Sequence, residues 1–141
     1  MGNHRSSTVL WILALGVLAG CPTVDLGDTP SDIGLCNPAG GLPYFKAQIW
    51  PNFVRPANTT TGCTKTGGGC HAEAGGNALS FKTMPQDDTF NYRQTQIYLN
   101  CGTPMSSELL TKPLAGIDPH GGADIFPPGD PAVQIFLDWF K

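Results

Sequence analysis

The sequence predicts a small, mostly α-helical domain with long Gly/Pro loops, carried behind an export leader. Three observations lead there. Apolar residues recur at helical steps in "YFKAQIWPNFV" and again in "PAVQIFLDWFK". The stretches between such segments are rich in the 18 glycines and 13 prolines of this 141-residue chain, which mark turns and loops. The chain also opens with a short positive stretch, Met1 to Arg5, followed by the uncharged apolar run "VLWILALGVLA". That run is too short to span a bilayer, which takes roughly 20 residues, and has the layout of an export signal.

In chain order, the leader ends in "LAGC", Leu18 to Cys21, and this ending resembles the bacterial lipoprotein signal. The resemblance implies cleavage before Cys21 and lipidation of its thiol and new amino end. Residues 1–20 are then a signal peptide, 21–43 a lipidated N-terminus and flexible tether, and 44–141 the domain. The acyl chains at Cys21 anchor the chain to a lipid bilayer without spanning it. Pro22 stands where inner-membrane lipoproteins usually carry an aspartate, so the outer membrane of a bacterial cell envelope is favoured. The tether, "PTVDLGDTPSDIGLCNPAGGLP", has no helical period and little to bury.

Within the domain, Phe45, Ile49 and Phe53 fall at steps of four with Trp50 alongside, one face of a helix that Pro51 should kink or restart. "DTFNYRQTQIYLN" offers only Phe90, Ile97 and Tyr98, a pattern compatible with helix or strand. "SSELLTKPL" begins with serines able to cap a short helix, which Pro113 ends. In the last segment Asp130 reads as N-cap and Pro131 as first helical residue, with Val133, Phe136, Leu137 and Phe140 on one face. About 100 residues are marginal on core burial alone, so a cofactor or disulfide would help considerably.

Composition excludes several functions. A net charge of −3 with 13% charged residues contains no basic stripe for a nucleic-acid partner. Asp118, His120 and Asp124 crowd one loop without a nucleophile motif, and there is no paired-carboxylate signature. Gly67 to Gly69 lack the strand and lysine of a phosphate loop. None of these segments reads as a catalytic site.

Beyond Cys21 the cysteines are Cys36, Cys63, Cys70 and Cys101, an even number in an exported chain, which suggests disulfides with three pairings possible. Two of them lie in "GCTKTGGGCHAEAGG", where a histidine follows the second. The haem-attachment signal is C-x-x-C-H, but here six residues intervene, among them Gly67-Gly68-Gly69, which can loop outward. Two other readings fit the same residues. Cys63 and Cys70 can close a disulfide worth about 2–4 kcal/mol. Cys63, Cys70, His71 and His120 can also supply four zinc ligands, although adjacent ligands are awkward and free thiolates scarce in an oxidising compartment.

The order of segments separates these readings. "IWPNFV", C…CH, "SSELLTKPLAG", "PHGGADIF" and "PAVQIFLDWFK" follow one another, and the chain from Tyr44 to Lys141 resembles the class I cytochrome c domains of bacterial exported lipoproteins. The six-residue gap departs from that family's spacing and bears on double thioether attachment. The resemblance implies one haem c attached through Cys63 and Cys70, with His71 as proximal iron ligand. It places the distal ligand before the last helix, where His120 stands beside Gly121 and Gly122; Met105 and Met84 are the alternatives. Methionine in that role would raise the potential. Arg55, Lys65 and Lys112 are then candidates to pair haem propionates. Trp50, Phe136 and Trp139 suit a haem-facing wall and an ordinary core equally. The expected function is one-electron transfer by a lipid-anchored cytochrome c-like protein with a redox partner protein. The alternative is a haem-free, disulfide-stapled lipoprotein module that binds a partner or supports the envelope. In both, Cys36 and Cys101 pair with each other.

Overall fold

Pro51 shapes the first helix. Lacking an N–H, and with a ring that collides with the carbonyl four residues back, proline is poorly accommodated inside an α-helix. The computed structural model, which describes residues 34–58, 60–64 and 70–141, shows how the chain passes it. Helix α1, Gly41–Tyr44, runs on without a break as a π-helical stretch, Phe45–Val54. The wider i→i+5 spacing carries the helix past the proline, rather than kinking or restarting it. At its end the Arg55 N–H donates to the Trp50 carbonyl, five residues back, at 3.0 Å, and Arg55 turns left-handed (φ 53°). Phe45, Ile49, Trp50, Phe53 and Val54 are all buried. The leader, Cys21, Lys65 and Gly67 to Gly69 lie outside the described residues.

The partner of this helix is α4, Pro131–Asp138, whose N-cap Asp130 accepts the Ala132 N–H at 2.8 Å. Phe53 packs on Phe136 with ring centroids 5.2 Å apart, and Phe45 on Trp139 at 5.8 Å. The seam is also hydrogen-bonded. The Trp139 indole N–H donates to the Gly41 carbonyl at 2.9 Å, and the Tyr44 hydroxyl donates to the Ile135 carbonyl at 3.1 Å. At the far end the Arg55 guanidinium meets the Asp130 carboxylate at 3.0 Å. Ala132, Phe136 and Trp139 are the deepest residues, whereas Val133, Leu137 and Phe140, expected on the same core face as Phe136, lie half-buried at its margins.

Helix α2, Asp88–Gln96, starts at Asp87, whose carboxylate accepts the Phe90 N–H at 2.9 Å. Its buried residues are Asn91, Tyr92, Thr95 and Gln96, while Ile97 is 56% exposed. The Asn91 side chain accepts the Lys82 N–H at 2.7 Å and donates to the Lys82 carbonyl at 2.8 Å, as a neighbouring strand would. Gln96 donates to the Cys36 carbonyl at 3.1 Å, and the Tyr92 hydroxyl donates to the Asn37 side chain. A Cys36–Cys101 disulfide fastens the same region, with Cα atoms 5.3 Å apart. The compact unit is Asp32–Lys141, so residues 34–43, read from sequence as tether, pack into the domain. The boundary drawn at Pro43 falls inside α1.

Helix α3, Glu108–Thr111, buries Leu109 and Leu110 and stops ahead of Pro113. Ser107 occupies its N-cap position, but the hydroxyl accepts the Asn100 N–H at 3.0 Å instead of capping the helix. Two 3₁₀ turns, Glu73–Gly75 and Pro104–Ser106, complete the helical elements among the described residues. Among the described residues there is no sheet, only isolated bridges such as Ala72–Phe81 and Leu114–Phe126. The fold is mostly α with long loops.

Candidate two-histidine cleft

Two loops, each pinned by a buried phenylalanine, bring His71 and His120 together. On the first, Gly62 is sterically required, because a Cβ there would lie 2.1 Å from the Arg55 carbonyl oxygen. The Cys63 N–H next to it donates to the Val54 carbonyl at 2.9 Å. The Cys63 carbonyl then accepts the His71 N–H at 3.2 Å, and the His71 carbonyl accepts the Phe81 N–H at 2.7 Å. Phe81 is fully buried, edge-on to Trp50 at 5.6 Å. On the second loop the Pro113 carbonyl accepts the Ile125 and Phe126 N–H groups at 2.9 and 3.0 Å. Phe126 is fully buried against Phe53, with centroids 4.7 Å apart.

Both imidazoles are hydrogen-bonded alike. His71 Nδ1 lies 2.9 Å from the Leu79 carbonyl oxygen, and His120 Nδ1 lies 2.9 Å from that of Ala123. A carbonyl oxygen only accepts, so Nδ1 carries a proton in each ring, and in the neutral form of such a ring Nε2 holds the free lone pair. Metal-ligating histidines are oriented in this way by an outer carbonyl. The rings are 4° from parallel with centroids 6.0 Å apart. Two imidazoles ligating one ion from opposite sides, with bonds of about 2.0–2.1 Å and a ring radius of about 1.1 Å at each end, stand roughly 6 Å apart by centroid. In centroid spacing and ring parallelism the two histidines match bis-imidazole ligation. Ala123 holds its turn at φ 63°, a conformation costing an L-residue about 1–2 kcal/mol.

The rings sit between two adjoining cavities of about 250 and 160 Å³ that share Cys63, His71, His120 and Ile125. Leu79, Tyr98 and Leu109 wall the larger, with Lys112 and Glu108 also on it; Cys70 lines the smaller. Together they reach the lower end of the roughly 300–1,000 Å³ typical of small-molecule sites. Cys63 is buried and Cys70 half-buried, and the two are free thiols, not a disulfide. Burial pushes the Cys63 thiol up to about 12, against the opposing pull of Arg55. A neutral sulfur suits this position and a thiolate does not. Among the described residues no three His, Cys, Asp or Glu side chains converge on a metal position, so the four-ligand zinc arrangement is not assembled there.

Other candidates lie elsewhere. Met105, on the Pro104–Ser106 turn, is 51% exposed and Met84 is 89% exposed; neither lines the cleft. Arg55 is committed to Asp130 and stands over the Phe126 ring at 4.8 Å, and among the described residues Lys112 is the cation that lines the cleft. Trp50, Phe136 and Trp139 belong to the core and not to the cleft wall. Sequence reasoning missed Leu79, Ile125 and Ala123, the last because its contribution is a carbonyl oxygen that any residue supplies. No family model, curated protein or solved structure matches the chain.

Proposed function

We propose that this chain is a lipid-anchored, cytochrome c-like electron-transfer protein that holds one haem between His71 and His120. One observation carries the reading: two imidazoles, each locked through Nδ1 by a main-chain carbonyl, stand parallel with centroids 6.0 Å apart. When bound, the haem supplies a one-electron iron couple, with a potential lower for two imidazoles than for a His/Met pair. Cys63 and Cys70, which border the cavities beside the histidines, are the thioether donors. Leu79, Tyr98 and Ile125 would give the haem an apolar wall. Lys112, which pairs with no carboxylate among the described residues, offers its ammonium to an anionic substituent. Acyl chains at Cys21 would hold the domain at the bacterial outer membrane, within reach of a redox partner protein.

The test is production in a host that matures c-type cytochromes. The purified chain should be red, show a reduced-haem spectrum and carry haem mass on the peptide containing Cys63 and Cys70. His71→Ala should abolish stable incorporation. His120→Ala should leave the haem attached but high-spin and open to carbon monoxide. An unchanged low-spin spectrum in His120→Ala, altered instead by Met105→Ala, would transfer the distal role to Met105. A colourless product with Cys63 joined to Cys70 overturns the proposal in favour of the haem-free, disulfide-stapled lipoprotein module. Cys21→Ala should stop uptake of labelled palmitate; continued labelling refutes the anchor.

A further inference from the structure

Adjacent glycines in the second loop are not equivalent. A Cβ built on Gly121 meets nothing within 4 Å, whereas one on Gly122 lies 3.2, 3.6 and 3.7 Å from Cε1, Nδ1 and Nε2 of the His120 ring. Three ring atoms at such similar distances mean that the glycine backbone stands against the imidazole face. The next residue closes the turn from both ends. The Ala123 N–H donates to the His120 carbonyl at 3.0 Å, and the Ala123 carbonyl accepts from His120 Nδ1 at 2.9 Å. Ala123 does this at φ 63°, one of two non-glycine residues with positive φ among those described. Strain of this kind persists where the surroundings over-determine it.

We propose that Gly122 and Ala123 are positioning residues that fix the tautomer and ring plane of His120 before any cofactor arrives. His71 takes its orientation from Leu79, across a loop, whereas His120 takes it from its own turn. The parallel alignment of the two rings is therefore written into residues 120–123. This inference rests on the haem reading only for one of its two measurements.

In the haem-loaded chain, wild type and Gly121→Ala should share the rhombic low-spin electron paramagnetic resonance spectrum of parallel imidazoles. Gly122→Val should shift it to the strongly anisotropic signal of crossed planes, or to a high-spin state that binds carbon monoxide. The smaller Gly122→Ala should move in the same direction. Ala123→Gly keeps the carbonyl and permits the positive φ, so it should match wild type. The second measurement uses the haem-free full-length chain, by long-range nitrogen–proton correlation of neutral imidazoles. His120 should be the Nδ1–H tautomer in wild type and Gly121→Ala, and lose that preference in Gly122→Val. If haem fails to load into wild type, the functional reading falls while the tautomer measurement still decides the inference. Wild-type tautomer populations in both Gly122 variants would overturn it, as would unchanged resonance spectra in loaded Gly122 variants.

Discussion

Phe45, Ile49, Phe53, Phe136 and Trp139 meet across the seam between the first helix and α4 with no solvent exposure at all. His71 and His120 meet across the cleft half-buried, each held through Nδ1 by a carbonyl oxygen. The seam is stabilised by apolar burial that depends on shape and area. The cleft is positioned by hydrogen bonds from loops anchored in the core by Phe81, Phe126 and Cys63. The contrast teaches that the core and the candidate site are built from different residues, so substitutions should separate them.

The largest effect should come from breaking the seam. Trp139→Ala removes a fully buried indole and its hydrogen bond to Gly41, and should cost about 3–5 kcal/mol in denaturant unfolding. A loss below about 1 kcal/mol would mean that the seam is not the main source of stability.

Opening Cys36–Cys101, which links residues 65 apart in sequence, should cost about 2–4 kcal/mol. The Cys36→Ala/Cys101→Ala pair, compared with wild type by thermal unfolding, measures it. Cleft geometry should survive at temperatures where the variant is folded, since neither cysteine lines it.

Alkaline pH addresses the cleft side. Below the ordinary thiol value of 9.0, Cys63 is neutral folded and unfolded; between there and its folded value of about 12 only the unfolded chain ionises. Stability of the haem-free chain should therefore fall as pH rises through this window, by about 2 kcal/mol near pH 10.5. Cys63→Ala should flatten that part of the slope, and so should thioether attachment, because a thioether does not ionise. An identical slope in Cys63→Ala would refute the assignment to this thiol.

The smallest effect on stability should be that of His120→Ala, below about 1 kcal/mol, because the ring is half-buried and its hydrogen bond is local to one turn. If chemical denaturation instead shows a loss comparable to Trp139→Ala, the division between seam and cleft is wrong.

Legibility in the sequence follows the same division. The first helix and α4 announce themselves because apolar burial repeats every three to four residues and because Asp130-Pro131 is a start signal that the structure uses as such. Helix α2 was ambiguous because its buried face is Asn91, Tyr92, Thr95 and Gln96. Those side chains are buried by pairing with backbone at Lys82 and Cys36, so hydrophobicity cannot reveal them. The same reason hid the inclusion of residues 34–43 in the domain, which disulfide and hydrogen bonds secure more than apolar contact.

By itself the sequence determined the two seam helices and the mostly helical class, because periodicity and capping are local; it left three cysteine pairings open, and the structure joins Cys36 to Cys101. Only the tertiary structure decided how Pro51 is passed, that Arg55 binds Asp130, and that His71 faces His120 with Nδ1 protonated. Each depends on main-chain atoms or on segments distant in the chain. A carbonyl oxygen is the same in every residue, and its direction is set by backbone angles that the packed core imposes.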